Sequence, residues 1–285
     1  MGTSTSSSGG KGGSPFDPEW LAPDTSPGNG DPGDDAPPGD TDGDGDGDGN
    51  DSGSDASQGG AGQDDAAYAP NRRFANARSQ MSAYLAGGGR ESLRSATKSM
   101  VNKGMGGAKR AASTMRGTAK GAGALGEFLA SARDRSDARV ADWVDRARQA
   151  NLSADDLILE LVKEVLPDAG STDDESLRNA AAEALGQLYE LNPGIDIFSL
   201  TDTQIHDVMA ITIASDVCNR MDLQLGQTYE RLKYSPEQIQ LYRKDIREYV
   251  QSEVRVVMER RGPASRDPKQ LAYEVLQSTL EVFAS

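Results

Sequence analysis

Up to residue 70 the chain has almost nothing to bury, and this limits every fold the remainder can adopt. Glycine and proline fill 25 of these 70 positions, and 15 acidic residues stand against a single base, Lys11. Apolar surface this sparse cannot offset the conformational entropy that ordering the chain would cost. The expectation is an unfolded acidic arm over residues 1–70. A coil of that length has a root-mean-square reach on the order of 45 Å, more where like charges extend it.

Three stretches of the arm carry information beyond composition. The tip, Met1-Gly2-Thr3-Ser4, has only small residues around Gly2, so removal of Met1 would leave an unhindered glycine amine. Met1 to Ser6 also fits the short myristoylation pattern. The thirteen acids before Gln58, however, would repel an anionic leaflet where a basic second anchor is normally needed. Phe16, Trp20 and Leu21 form an apolar cluster in a polar tail, with the character of a linear docking motif. An incidental cluster fits equally well. Asp40, Asp42, Asp44 and Gly45 match the opening of a calcium loop, with Asp51 at its twelfth position. Asp51 is too short to replace the usual bidentate glutamate, and the match recurs in several frames. A self-repelling spacer accounts for it, and no metal site is expected.

Charge divides the chain into three blocks. The net charge of -15 conceals an acidic arm, a basic stretch over 71–126 with eleven bases and one acid, and an acidic remainder with 29 acids and 18 bases. Cys218 is the only cysteine, so a disulfide framework within one chain is excluded, and a reducing compartment fits. The longest apolar run, near Val208 to Ala214, is far short of a bilayer span. A cytoplasmic protein without membrane association is expected.

The bases of the middle block are Arg72, Arg73, Arg78, Arg90, Arg94, Lys98, Lys103, Lys109, Arg110, Arg116 and Lys120, interleaved with Ala, Ser and Gly. Phe74, Ala77, Met81, Tyr84 and Leu85 follow helical spacing, as do Leu93, Thr97, Met100 and Val101. Gly87-Gly88-Gly89 separates the two, and Gly104, Gly106 and Gly107 end the second. These apolar stripes are thin, so the helices need a surface to pack on. Residues 71–123 therefore read as a basic, partly helical segment.

Residues 124–285 read as an all-α globular domain. One helix is expected from Leu125 to Gln149, carrying Phe128, Leu129, Ala132, Val140, Trp143, Val144 and Ala147 inward. Ser153 caps the next, which stops before Pro167. Thr172 and Glu175 form a capping box for a helix through Leu188, broken by Asn192-Pro193-Gly194. Thr201 and Gln204 open another through Val217. Ser235-Pro236-Glu237-Gln238 and Asp267-Pro268-Lys269-Gln270 each combine a cap with proline in the first turn. No alternating strand pattern is present.

Chemistry is hard to place. His206, the only histidine, precedes Cys218 by twelve residues on one helix, roughly 18 Å by helical rise, so they cannot form a dyad. Gly117, Gly121 and Gly123 follow no strand, which argues against a nucleotide loop. Asp155-Asp156 and Asp173-Asp174 sit in first turns, where the helix dipole favours acids. No enzyme and no cofactor are expected. The basic block could neutralise phosphates, although Phe74 and Tyr84 are its only aromatics and the acidic blocks on both sides would compete for its cations, so an intrachain or partner-protein surface fits at least as well.

Two stretches in order carry a family resemblance. Met1-Gly2-Thr3-Ser4 runs into a Gly/Ser/Pro tail with Pro15 and Trp20. Arg72-Arg73-Phe74 continues through Ala77-Arg78, Gly87-Gly88, Leu93 and Gly106-Gly107-Ala108-Lys109-Arg110-Ala111-Ala112. Together they resemble the QatB family of bacterial Qat anti-phage defence systems. The resemblance implies partners: an ATPase, a QueC-like enzyme and a TatD-like nuclease. QueC-like enzymes activate a carboxylate on a deazapurine with ATP and deliver it to an amine. By that resemblance Gly2 is the expected acceptor, with Thr3 and Ser4 as its recognised neighbours. An α-amine has a pKa of about 7.7–8.0, so a useful fraction is nucleophilic at neutral pH. The expected function is a non-enzymatic defence subunit whose helical body binds proteins while the arm presents Gly2. The alternative is a nucleic-acid-binding adaptor using residues 72–120.

Overall fold

The computed structural model describes residues 72–285, apart from 167, 169 and 263–266 and the side chains of 230 and 231. Among the described residues every regular element is helical. The expectations for the arm, including Gly2, Thr3, Ser4, Phe16, Trp20, Leu21 and the Asp-Gly run, lie outside these residues.

A short 3₁₀ turn, Arg72–Phe74, leads into α1 (Ala75–Ala83). The chain widens into a π-turn at Tyr84–Gly88 and reverses at Gly87, whose φ of 97° suits a residue without a side chain. Helix α2 (Gly89–Ser99) follows and ends in a second π-turn, Met100–Gly104. The residues of both thin stripes are buried: Phe74, Ala77, Met81, Tyr84 and Leu85 on one side, Leu93, Thr97, Met100 and Val101 on the other. The surface they pack on is the rest of the molecule. Helix α1 lies against α8 (Asp202–Leu225) and the short α9 (Gln227–Leu232), and α2 against α11 (Pro268–Ala284). Two tyrosines fasten the hairpin. The π-turn leaves the Leu85 carbonyl able to accept hydrogen bonds from both Tyr234 Oη (2.8 Å) and Tyr242 Oη (2.9 Å).

Helix α3 (Ala108–Thr114) bends at Met115 into α4 (Arg116–Asp134). Here the structure corrects the single helix expected from Leu125 to Gln149. Helix α4 starts nine residues before Leu125, and Arg135 takes a left-handed conformation (φ 50°) that ends it. Asp137 then caps α5 (Ala138–Ala150) by accepting from the Arg139 and Val140 amides. The break brings Trp143 edge-on to Phe128, with ring centres 5.3 Å apart. On one straight helix, fifteen residues would separate them by roughly 22 Å. The polar run Asp134-Arg135-Ser136-Asp137 was the overlooked signal.

Glycines explain why α4 begins so early. A Cβ on Gly121 would collide with Leu177, on Gly123 with the Lys269 backbone, and on Gly126 with Met209. Three neighbouring helices therefore approach α4 closely: α7 (Thr172–Leu191), α8 and α11. That packing overrides a helix-propensity cost of about 1 kcal/mol per glycine.

The remaining helices follow their caps. Ser153 accepts from the Asp156 amide to start α6 (Ala154–Val165). The next cap is corrected by one position. Ser171, not Thr172, accepts from the Asp174 amide, so Asp174 rather than Glu175 sits at the third position. Thr201 with Gln204 and Ser235 with Gln238 form complete capping boxes for α8 and α10 (Pro236–Arg261). Asp267 accepts from the Lys269 amide at the start of α11. Helix α8 is buried over most of its length from Ile205 to Cys218 and forms the centre of the core, as expected of a helix apolar on nearly all sides. The described residues form one compact unit, and α4 passes through residue 124 without interruption.

Candidate functional site

The predicted cations fall on the outside of α1 to α4. Arg72, Arg73, Arg90, Arg94, Lys98, Lys103, Lys109, Arg110, Arg116 and Lys120 are exposed, and Arg78 is half-buried, donating to the Gln224 carbonyl at 3.2 Å. On α2, Arg90, Arg94 and Lys98 stand four residues apart in one row, about 6 Å between steps. Like charges at that spacing destabilise a helix by a few tenths of a kcal/mol per pair. Among the described residues only Glu91 answers them, 3.7 Å from Arg94, with both side chains in solvent. The row leads to a second group around Phe74. The Arg73 guanidinium lies 5.1 Å from the centre of that ring, and Gly104 abuts the ring so closely that no Cβ would fit. Lys103 precedes Gly104, and the side chain of Arg110 folds back over Gly106.

Cations of the later helices are treated differently. Arg135 holds Asp145 at 2.6 Å, Arg148 holds Asp196 at 2.9 Å, Arg247 holds Glu183 at 2.6 Å and Lys269 holds Glu127 at 2.6 Å. These four charges are spent within the fold, whereas Arg139, Arg146 and Arg255 on the later helices are exposed. The two aromatics that could have served nucleic-acid bases in the basic block are also spent. Phe74 and Tyr84 are both buried, and burial together with the nearby Asp245 pushes the Tyr84 hydroxyl up to about 12.

His206 and Cys218 lie on α8, as expected. Cys218 is buried, and the loss of solvent raises its thiol to about 12, so it is held as a neutral, unreactive thiol at neutral pH. His206 borders a cleft of about 650 Å³ where the end of α4 meets the starts of α8 and α11. The charges on its walls are paired: Arg133 with Asp202 at 2.6 Å and Asp134 at 2.7 Å. Among the described residues no three His, Cys, Asp or Glu side chains converge as metal ligands.

One polar cluster was not anticipated. Asp216 is 1% exposed in the middle of α8. It accepts hydrogen bonds from Thr118 on α4 and from Ser176 on α7 (2.6 Å). Arg220, one turn on, lies 3.7 Å from Asp216 and 3.0 Å from Asp173. Asn219 donates to Ser176 at 3.2 Å. A charged residue inside the mostly apolar stretch from Val208 to Cys218 was the available signal, because such a group is buried only with partners. The cluster joins α4, α7 and α8 and opens on a cleft of about 300 Å³ lined by Thr172, Asn179 and Arg220. Its carboxylates are partnered within the fold, while the Arg220 Nε is buried without a hydrogen bond among the described residues, and the cluster acts as a structural junction.

A sequence model of the QatB family, described as Qat anti-phage system associated protein QatB, matches residues 106–283. That span runs from just before α3 to the last turn of α11 and is more than half of the chain. The chain belongs to the QatB family. No curated protein and no solved structure matches it. Of the stretches that suggested the resemblance, only Gly106 to Ala112 falls within the matched span; QatB membership rests on the helical body, which the sequence reading could not align. Membership makes this chain a component of an anti-phage defence system with partner proteins, and the family description names a system-associated protein and no reaction. No described helix is long and apolar enough to cross a membrane.

Proposed function

We propose that this chain is a non-enzymatic, cytoplasmic subunit of a Qat defence complex. Its helical body binds partner proteins, and its arm presents Gly2 to a QueC-like enzyme. The observation that carries this reading is the match over the body, residues 106–283, to the family of the Qat anti-phage system associated protein QatB. Two further features support it. The body leaves large apolar side chains in solvent, with Leu191 84% and Leu241 63% exposed, and such side chains serve as anchors in protein interfaces. Burial withdraws the Cys218 thiol from such chemistry, and the choice of the Gly2 amine as the reactive group rests on the family resemblance.

In the proposed step the unprotonated amine of Gly2 attacks the activated carboxylate of the deazapurine. An amide bond forms, the activating group leaves and the amine loses one proton. Thr3 and Ser4 provide the small surroundings that let the end enter an active site. The ATPase and the TatD-like nuclease are further partners in this reading. Intact mass after co-expression with the QueC-like neighbour tests it. The N-terminal peptide should carry the added group, and Gly2→Pro should abolish it. An unmodified Gly2 beside an active QueC-like enzyme would sink the proposal.

A further inference from the structure

Gly2 presentation does not require the exposed cations between Arg73 and Arg110. We propose that the row Arg90, Arg94 and Lys98, with Arg73, Lys103 and Arg110 beside it, binds the phosphate backbone of duplex nucleic acid without reading sequence.

Three observations select this partner. First, among the described residues the charges are largely uncompensated. Arg94 alone of the six has a carboxylate within ion-pair distance among the described residues, and that carboxylate is exposed. The row places like charges side by side, which the helix tolerates at a loss of stability. An array of external phosphates relieves the repulsion and releases counterions. Second, the face offers nothing apolar. Every large hydrophobic side chain exposed among the described residues lies beyond residue 150. A protein partner would seek a desolvated apolar centre with aromatic or aliphatic anchors, whereas nucleic-acid interfaces are polar and strongly positive. Third, the face has no aromatic platform. Phe74 and Tyr84 are buried, so unpaired bases have no ring to stack on. Backbone contact without stacking fits a duplex rather than a single strand.

The test is fluorescence anisotropy of the full-length protein with labelled duplex DNA of two unrelated sequences, over a series of salt concentrations. The logarithm of affinity should fall linearly with the logarithm of salt, by about 0.9 per phosphate neutralised, equally for both sequences. The variant Arg90→Gln/Arg94→Gln/Lys98→Gln should lower that slope by about 3 and weaken binding at least tenfold at low salt. Its melting temperature should not fall, because glutamine is a comparable helix former and the repulsion is gone. Arg139→Gln/Arg146→Gln/Arg255→Gln changes net charge equally on exposed positions of later helices and should leave the slope nearly unchanged. The proposal is overturned by absence of salt-dependent binding or by an equal effect of the control variant. Tighter binding to single strands or to polyglutamate than to duplex overturns it too.

Discussion

Asp216 shows how much one side chain contributes to the arrangement of this body. It is buried at the centre of α8, and hydroxyls from α4 and α7 reach it. Replacing it with alanine would leave the Thr118 and Ser176 hydroxyls and the Arg220 guanidinium without their partner. The expected cost of Asp216→Ala is about 3 kcal/mol, read as a lower urea midpoint at unchanged slope. Cys218 acts on the alkaline side. Burial raises its thiol, the Tyr84 hydroxyl and the Tyr229 hydroxyl above their unfolded values of about 8.5 for cysteine and about 10 for tyrosine. The folded state thus keeps protons that the unfolded chain releases. This contribution is fully present below about pH 8.5 and is lost as pH rises toward 12. Melting temperatures should fall progressively above about pH 9, and Cys218→Ala should show a shallower decline. In the native state at neutral pH the thiol should resist alkylation.

At the scale of elements, α4 is where local preference and packing conflict. Gly117 faces open space, whereas a Cβ on Gly123 would stand 2.7 Å from the Lys269 Cα atom. Gly117→Ala should therefore stabilise by up to about 1 kcal/mol, and Gly123→Ala should destabilise by about 1–3 kcal/mol. Paired thermal melts separate the two, and a stabilising Gly123→Ala would show that α11 does not approach as closely as described. The α1–α2 hairpin depends on the Leu85 carbonyl. Removing both hydroxyls in Tyr234→Phe/Tyr242→Phe should speed amide exchange in Ala75–Ser99 while leaving α7 and α8 unaffected. Helix starts were legible because their chemistry is local: Ser153, Thr201, Ser235 and Asp267 cap their own amides. The break at Arg135 was not. Its only local trace is the polar run ending in the Asp137 cap, and the direction of the turn depends on Trp143 meeting Phe128, a contact that neither residue's neighbours reveal.

Across the whole molecule, the basic segment and the later helices share one core. Leu85, Met100 and Ala112 belong to the same buried cluster as Leu185, Val250 and Leu276. A chain truncated to 124–285 would begin in the middle of α4 and expose the sides of α8 and α11 that α1 to α3 cover. It should lose the single cooperative unfolding transition of the full chain and bind hydrophobic dye. A sharp, dye-free transition in that fragment would show that the later helices fold independently. The sequence by itself determined the all-α character, most helix starts, the segregation of charge and the inward stripes of α1 and α2. These depend on spacing and on groups within a turn of one another. Only the tertiary structure decided that three helices pack closely against the glycines of α4 and that Asp216 is shared by three helices. It also decided that Phe74 and Tyr84 are consumed by the core while most of the cations around them stay exposed. Each of these depends on which distant surfaces meet, and that is settled by close packing between helices rather than by periodicity along one.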